Sequence, residues 1–369
     1  MPDVRNKLSL IISSDQRILS FVGDQLALAG WYTEKAETNP QALELLRGVK
    51  WHLVFFSHTL SGESCLPVEQ QIESLQPDAH LWLLADKQTG NIASPVRDIF
   101  CELEVGIGSE QDNVGMLRRW LSIIENRIAE LQDAVVLPIS TAETESIIGE
   151  CPAVQEARRQ IQFLTGAHEP CLITGEHGTG KLELARTIHE LRYRGEGQMT
   201  LIMCEEENEN FNTGRHSLLS EVQNGKPRGT IFINQIELAS ERVQAALLNL
   251  DYKPDSALSI IAGSCKDLRG MVEQGTFSIE LYSRLKNYIY LPPLRDRRED
   301  IGLLIAHFVK NFVSKPYVRV SRRAWELLQG YCWEFNLPEL HSVALNAISG
   351  GAGAICAADL PFFDDEGTE

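Results

Sequence analysis

The stretch CLITGEHGTGKLELARTIH, residues 171–189, decides the fold. Its first four residues predict a β-strand, and the amphipathic run after Lys181 predicts a helix. Between them lies the pattern Gly-x-x-x-x-Gly-Lys, whose glycines let backbone N–H groups turn toward phosphate oxygens while the lysine adds a positive charge. The pattern therefore predicts an α/β P-loop fold that binds ATP or GTP. The predicted nucleotide-binding residues are Gly175, Glu176, His177, Gly178, Thr179, Gly180, Lys181 and Leu182.

The residues that would hold magnesium and activate water are altered. Leu182 follows the lysine, where a Ser or Thr hydroxyl usually helps to hold Mg²⁺. The buried-strand pattern GTIFINQI, residues 229–236, ends in Asn234 and Gln235, where two carboxylates are usual. Amides cannot take a proton from water, and they bind a hard cation weakly. We therefore expect nucleotide binding without efficient hydrolysis and no assured Mg²⁺ site; the alternative is a relic loop that holds no ligand.

The rest of the chain predicts two α/β domains and a helical end. Short apolar runs alternate with amphipathic stretches over residues 8–131, a rhythm that favours βαβ units and a flavodoxin-like, doubly wound domain. A polar stretch with Pro138 follows, and we interpret it as a linker. The predicted segments are a receiver-like domain at 1–132, a linker at 133–146, a P-loop α/β subdomain at 147–312 and an all-helical lid at 313–369.

The bulk composition excludes several protein classes. With 43% hydrophobic and 23% charged residues, the 369-residue chain has the composition of a soluble globular protein. Its apolar runs are far shorter than the roughly 20 residues of a membrane span, and no signal peptide is apparent, so we expect a cytoplasmic protein. A net charge of −17 disfavours nonspecific nucleic-acid binding. Eight scattered cysteines without a C-x-x-C pair predict reduced core thiols and no metal site.

The order of motifs from Ile147 to Ala347 resembles the AAA+ domain of the NtrC family of bacterial enhancer-binding activators. IIGECPAVQEARRQI resembles the opening of that domain, GEHGTGKLELAR its P-loop, and WEFNLPELHSVALNA the closing helix of its lid. LPPLRDRREDI is particularly specific to the family. The resemblance covers roughly 200 residues in the right order. It implies a transcriptional regulator that contacts RNA polymerase and assembles as a dimer or a higher oligomer.

The first 130 or so residues resemble the receiver domain that such regulators often carry. Ser13 and Ser14 stand where a working receiver has an acidic pair, and Ser57 stands at the phospho-accepting position. Ala85 fills the usual hydroxyl position. The resemblance therefore implies a receiver that is not phosphorylated by the normal route and that serves as a dimerisation or interaction surface.

The AAA+ part departs from its family at several positions. The family's loop that engages sigma-54 is expected in ENFNTGRHSLLSEVQNGKPRG, but its motif is missing and the stretch is shortened. Cys265 replaces a polar sensing residue, and Pro338 replaces the lid arginine that touches phosphate. Of the two arginines that reach a neighbouring subunit's nucleotide, one aligns with Ser278 and the other remains as Arg284. These losses imply a regulator that works with polymerase carrying the housekeeping sigma factor.

The resemblance is nearest to family members that respond to cyclic di-GMP and control biofilm matrix genes. A dianionic dinucleotide needs guanidinium groups for its phosphates and flat surfaces for stacking. Basic clusters in LRDRRED and YVRVSRRAW offer such groups, although LRDRRED also fits a structural, salt-bridged turn. The cyclic di-GMP candidates are Arg186, Arg295, Arg297, Arg298, Arg322, Arg323 and Trp333.

Two other functions stay open at this stage. An NTPase with catalytic groups at unusual positions, such as Glu237 or Glu183, would be weak or ligand-dependent. A pure interaction protein would pair with an intact homologue. The family's helix-turn-helix does not fit after Asp359, so we expect promoter DNA to be contacted through a domain absent from this sequence.

Overall fold

The computed structural model describes residues 7–57, 59–60, 63–64, 66–76, 79–85, 99–104, 110–140, 147–164, 169–194, 196–204, 229–249, 258–313, 315–350 and 354–363. The chain forms two compact units. The first consists of Met1–Ile139, Phe308–Leu328 and Val343–Glu369, and the second of Ser140–His307 and Gln329–Ser342. Segments that are distant in sequence therefore fold together.

A five-stranded parallel sheet in the order β2-β1-β3-β6-β7 forms the core of the first unit. This order is that of flavodoxin-like, doubly wound folds and confirms the predicted class. Every residue of β3 is buried because helices cover both faces of the sheet. Its strands and the adjacent hairpin are β1 (Leu8–Ile12), β2 (Tyr32–Ala36), β3 (Leu53–Ser57), β4 (Thr59–Leu60), β5 (Glu63–Ser64), β6 (His80–Ala85) and β7 (Ile99–Glu104). Its helices are α1 (Gln16–Leu28), α2 (Asn39–Gly48), α3 (Leu66–Leu75) and α4 (Glu110–Glu130).

A three-stranded sheet in the same unit contains part of the predicted linker. Strand β8 (Val135–Pro138) pairs antiparallel with β14 (Tyr317–Val320), which also pairs in parallel with β15 (Ala354–Ile355). Arg127, at the end of α4, donates from Nη1 to Oδ1 of Asp359 at 2.6 Å and from Nη2 to the carbonyl of Ala354 at 3.2 Å. Its ion pair with Asp359 is largely buried, the two side chains being 8% and 10% exposed. This ion pair links α4 to the C-terminal segment that contains Asp359.

The second unit is built on another five-stranded parallel sheet, in the order β10-β11-β12-β9-β13. Its strands are β9 (Cys171–Thr174), β10 (Gln198–Met203), β11 (Gly229–Asn234), β12 (Leu258–Ser264) and β13 (Asn287–Tyr290). Strands β11 and β12 are almost continuously buried because helices pack on both faces of the sheet. The carboxyl ends of β9, β11 and β12 lie at one edge of this sheet, where ligands bind in such folds.

The remaining helices follow along the chain from the start of the second unit to the C-terminal part. They are α5 (Pro152–Leu164), α6 (Lys181–Tyr193), α7 (Glu241–Leu248), α8 (Leu268–Glu273), α9 (Ile279–Arg284), α10 (Ile301–Val309), α11 (Arg322–Gly330) and α12 (Asn336–Gly350). The C-terminal helices confirm the predicted helical lid, which also contains the short strands β14 and β15.

The cysteines that the structure describes form no disulfide with one another. Cys151, Cys171, Cys204 and Cys356 are buried, while Cys265 is partly buried and Cys332 is exposed. Burial raises the pKa of Cys171 and of Cys356 to about 12. None of the helices in the described part of the chain has both the length and the apolarity to cross a membrane.

Candidate nucleotide site

The P-loop connects β9 to α6, as the sequence predicted. Gly178 and Gly180 have φ angles of +74° and +102°, which side-chain-bearing residues rarely adopt. A Cβ on Gly178 would lie 2.4 Å from the carbonyl oxygen of Phe335, so only glycine fits. Thr179 closes the turn by donating from Oγ1 to the carbonyl of Glu176 at 2.9 Å. Helix α6 begins at Lys181, so its N-terminal N–H groups face the loop, an arrangement suited to binding phosphate.

Lys181 is largely buried, and all its ammonium protons have acceptors within the second unit. Nζ donates to the carbonyls of Gly175 at 2.8 Å and Glu176 at 2.7 Å. It also donates to Sγ of Cys265 at 3.2 Å. A lysine ammonium has three donors. A phosphate oxygen would therefore have to replace one of these acceptors when it binds Lys181.

Asn336 holds the P-loop from the other side. It is fully buried and has a φ of +56°, a left-handed conformation that asparagine tolerates better than most residues. Its Nδ2 donates to the carbonyl of His177 at 2.8 Å, and its Oδ1 accepts from the N–H of Leu294 at 2.7 Å. The N–H of Leu337 donates to the carbonyl of Gly178 at 3.0 Å. Asn336 was not among the predicted site residues, and its only local signal is asparagine's tolerance of left-handed backbone.

The two amides end β11, as the sequence predicted. Asn234 is the last residue of the strand, and its Nδ2 donates to Sδ of Met203 at 3.5 Å. Gln235 follows with a φ of +57° and leads into a 3-10 helix at Ile236–Leu238. The carboxylate of this segment belongs to Glu237, whose Oε1 accepts from the N–H of Cys265 at 3.0 Å. Across the described ranges, no group of three or more His, Cys, Asp or Glu side chains is arranged to hold a metal ion.

The segment LRDRRED contributes to the fold through its buried members. Arg297 is 1% exposed and donates from Nη2 to the carbonyl of Thr179 at 3.1 Å. Burial lowers its pKa, and nearby Asp300 opposes that shift. Oδ1 of Asp300 accepts from the backbone N–H groups of Glu150 at 2.6 Å and Cys151 at 3.1 Å. These contacts support the structural interpretation for Arg297, whose guanidinium is enclosed by the protein.

The neighbouring arginines of that segment are exposed. Arg295 forms a two-pronged ion pair with the carboxylate of Glu176 in the P-loop, and Nε of Arg298 donates to the carbonyl of Arg295 at 3.1 Å. The hydrogen bond from Arg295 lowers the pKa of Glu176. A lowered carboxyl pKa adds stability at pH values above the ordinary glutamate pKa, and this contribution is lost as pH falls through the lowered value.

The other candidate residues lie in different settings. Arg186 is exposed on α6, and Arg284 donates from Nη1 to the carbonyl of Leu248. Trp333 is fully buried and meets the ring of Tyr331 edge-on at 5.0 Å between centroids. In the first unit, Arg322 pairs with Glu326 at 3.5 Å, and the guanidinium of Arg323 lies 4.7 Å from the centroid of Phe363.

Ser13 and Ser57, which the sequence analysis placed at receiver positions, lie at the carboxyl ends of the adjacent strands β1 and β3. Ser57 ends β3 and donates from Oγ to Oγ of Ser13 at 3.0 Å. Asp15 caps α1 by accepting from the N–H of Arg17 at 2.8 Å. The shortened loop expected in the stretch 209–229 lies, except for Gly229, outside the described residues.

Two family models match most of the P-loop unit. Residues 148–294 match the sigma-54 interaction domain, and residues 295–366 match the AAA+ ATPase lid domain. The chain is 31% identical to the regulatory protein AtoC of Escherichia coli (strain K12), over 95% of this chain and 82% of that protein. It is 25% identical to the DNA-binding transcriptional regulator NtrC of Azospirillum brasilense, over 90% of this chain and 74% of that protein.

Solved structures show the same fold. NtrX from Brucella abortus in complex with ADP superimposes with a TM-score of 0.50 and 21% identity, and the match covers 97% of this chain and 86% of NtrX. At that level of identity the likeness establishes the fold alone.

Proposed function

The chain belongs to the NtrC family of sigma-54 activator-type transcriptional regulators, and from that membership we propose that it is a nucleotide-binding regulator of transcription without efficient NTP hydrolysis. The observation that carries the proposal is the pairing of a complete phosphate loop, from Gly175 to Lys181, with the amides Asn234 and Gln235. Nucleotide would act by changing assembly state, as a dimer or a higher oligomer in the cytoplasm.

The proposal assigns nucleotide contacts to residues 175–182. The glycine backbone and the start of α6 would provide N–H donors, and Lys181 would provide the charge. Leu182 offers no hydroxyl for Mg²⁺, and an amide cannot serve as the base that activates water. The chain keeps the phosphate-binding loop but has amides in place of the acid pair, and this combination supports nucleotide binding rather than nucleotide hydrolysis as the function.

The Lys181→Ala variant tests nucleotide binding. We expect it to weaken ATP affinity on the order of 100-fold, about 2.7 kcal/mol, because the point charge facing the phosphates is removed. Equilibrium titration with a fluorescent ATP analogue, displaced by unlabelled ATP or GTP, measures the change. Lys266→Ala is the matched control, since Lys266 is an exposed lysine at the end of the neighbouring strand β12. Equal affinity in Lys181→Ala and the wild type would contradict the proposal.

We also propose control by cyclic di-GMP, on the basis of resemblance to the regulators VpsR and FleQ. The exposed arginines form two sets, with Arg186, Arg295 and Arg298 in the second unit and Arg322 and Arg323 in the first. The other two candidates, Arg297 and Trp333, are buried in the second unit. Guanidinium groups bind phosphate oxygens and guanine edges in two-pronged geometry, which suits this dinucleotide.

Calorimetric titration with cyclic di-GMP tests this finer proposal. We expect a binding isotherm with the wild type. If the second-unit arginines bind the ligand, Arg298→Ala should lose at least tenfold in affinity; if the first-unit arginines do, Arg323→Ala should show that loss. Arg269→Ala is the control. Arg269 lies on α8, outside both sets of candidate arginines, and pairs there with Glu273. Absence of heat at high micromolar ligand would remove cyclic di-GMP from the proposal.

The proposed partners follow from family membership and from the altered residues. Promoter DNA would be contacted through a domain outside this sequence, and the polymerase would carry the housekeeping sigma factor at biofilm and exopolysaccharide genes. Two alternatives make distinct predictions. A functioning NTPase would release phosphate quickly in a Mg²⁺- and Lys181-dependent manner, whereas an interaction protein would pair stably with an intact homologue without needing ligand.

A further inference from the structure

A buried carboxylate lies near the P-loop although the expected acid pair is missing. Glu237, in the 3-10 helix Ile236–Leu238 after the amides, is 7% exposed. Its Oε1 accepts from the N–H of Cys265, but among the described residues its Oε2 has no hydrogen-bond partner. Buried polar groups are nearly always paired, and an unpaired carboxylate oxygen is especially costly. This oxygen is therefore available to a ligand as far as the described residues show.

The position of Glu237 links that oxygen to the phosphate site. Cys265 donates its N–H to Glu237 and accepts from Nζ of Lys181 at its Sγ, at 3.0 and 3.2 Å respectively. A single residue thus separates the carboxylate from the ammonium that would face the phosphates. The negative charge of Glu237 also contributes to raising the pKa of the Cys265 thiol, after the larger effect of burial. The carboxylate therefore lies close enough to influence charged groups at this site.

We propose that Glu237 supplies the carboxylate that recruits a divalent cation together with the nucleotide, in place of the missing acids at Asn234 and Gln235. This inference rests on the proposed nucleotide binding. Mg²⁺ is held in such sites by one or two carboxylates, by the substrate's phosphates and by water rather than by a cage of protein ligands. A single buried carboxylate with a free oxygen fits that requirement, and the cluster of three protein ligands that is absent from the described residues is not needed.

Electrostatics make the inference specific. A carboxylate beside a phosphate group repels metal-free nucleotide, and a cation between the two converts that repulsion into attraction. Nucleotide binding should therefore depend strongly on the cation in the wild type. A purely structural Glu237, which only holds the N–H of Cys265, would leave nucleotide affinity nearly independent of the cation.

The Glu237→Gln variant separates the two roles. The amide keeps an oxygen acceptor for the N–H of Cys265 and loses the charge. We expect the wild type to bind a fluorescent ATP analogue at least tenfold tighter with Mg²⁺ than with EDTA. In Glu237→Gln this ratio should fall to about twofold, because metal-free binding improves and Mg²⁺-supported binding weakens. An unchanged ratio in the variant would overturn the inference.

Two further measurements make the result decisive. Glu183→Gln is the charge-matched control, since Glu183 is an exposed carboxylate in the first turn of α6. If Glu183→Gln lowers the ratio of affinities with Mg²⁺ and with EDTA as much as Glu237→Gln does, the effect comes from the general negative charge around the site and the inference fails. Mn²⁺ titration of the wild type with ATP, followed by electron paramagnetic resonance, does not depend on the folding of any variant. Nucleotide-dependent Mn²⁺ binding tighter than that of free ATP is expected, and its absence would overturn the inference.

The outcomes distinguish this inference from the function on which it rests. If ATP binds the wild type, loses affinity in Lys181→Ala and keeps its cation ratio in Glu237→Gln, the proposed function stands and the role of Glu237 is wrong. If ATP does not bind with or without Mg²⁺, both proposals are overturned.

Discussion

Replacing Asn336 by leucine is expected to lower the free energy of unfolding by about 4 kcal/mol and to weaken ATP binding. Asn336 makes two buried hydrogen bonds, to the carbonyl of His177 and from the N–H of Leu294. Each partner left unsatisfied costs about 1–3 kcal/mol, and leucine in the left-handed region adds about 1–2 kcal/mol. Chemical denaturation followed by tryptophan fluorescence measures the free energy of unfolding, and the ATP titration measures the affinity of the P-loop for ATP.

Asn336→Gly separates the two contributions. Glycine adopts a φ of +56° without strain and removes the same two hydrogen bonds. We expect it to cost about half as much as leucine, since only the lost hydrogen bonds remain. A cost below about 1 kcal/mol for both variants would show that Asn336 does not hold the P-loop in solution.

Arg127→Met is expected to destabilise the first unit by about 3–5 kcal/mol. The change removes the buried partner of Asp359 and the hydrogen bond to the carbonyl of Ala354. A buried carboxylate whose counter-ion has been removed pays its desolvation without compensation, which is why breaking such a pair costs more than the pair contributes. Thermal and chemical unfolding of the full chain measure the loss.

A double-mutant cycle provides the control for Arg127. Asp359→Asn removes the charge and keeps an oxygen for the N–H of Cys356, which Oδ2 of Asp359 accepts at 2.7 Å. We expect the combination with Arg127→Met to be about 1–3 kcal/mol less destabilising than the sum of the two single changes. Strict additivity would mean that the two side chains do not interact in solution.

The sequence predicted features that depend on local pattern. The P-loop lies between a strand and a helix because glycine spacing and flanking periodicity both specify that turn, and Ser57 and Asn234 end the strands on which they were predicted. The apolar runs at residues 53–56 and 231–233 are each followed directly by a polar residue, which marks the end of the strand. These predictions succeeded because each rests on a few consecutive residues.

The remaining features depend on contacts between distant residues. Asn336 meets His177 across 159 positions, and no local pattern announces that pairing. Arg297 and Trp333 have residue types typical of ligand surfaces, yet both are buried, because burial is decided by tertiary packing. Strand β8 was interpreted as linker because Pro138 and polar neighbours surround it, but β14 supplies its hydrogen-bonding partner.

The pairing of β8 with β14 has a consequence for the order in which the chain folds during synthesis. Tyr317 pairs with Pro138, so about 180 residues must leave the ribosome after β8 before its partner strand emerges. The second unit likewise requires Gln329–Ser342 in addition to Ser140–His307. Multidomain proteins commonly fold their N-terminal domain first as it is translated. In this chain the second unit is not complete before Gln329–Ser342 has been translated, and β8 lacks its partner strand throughout the synthesis of Ser140–His307.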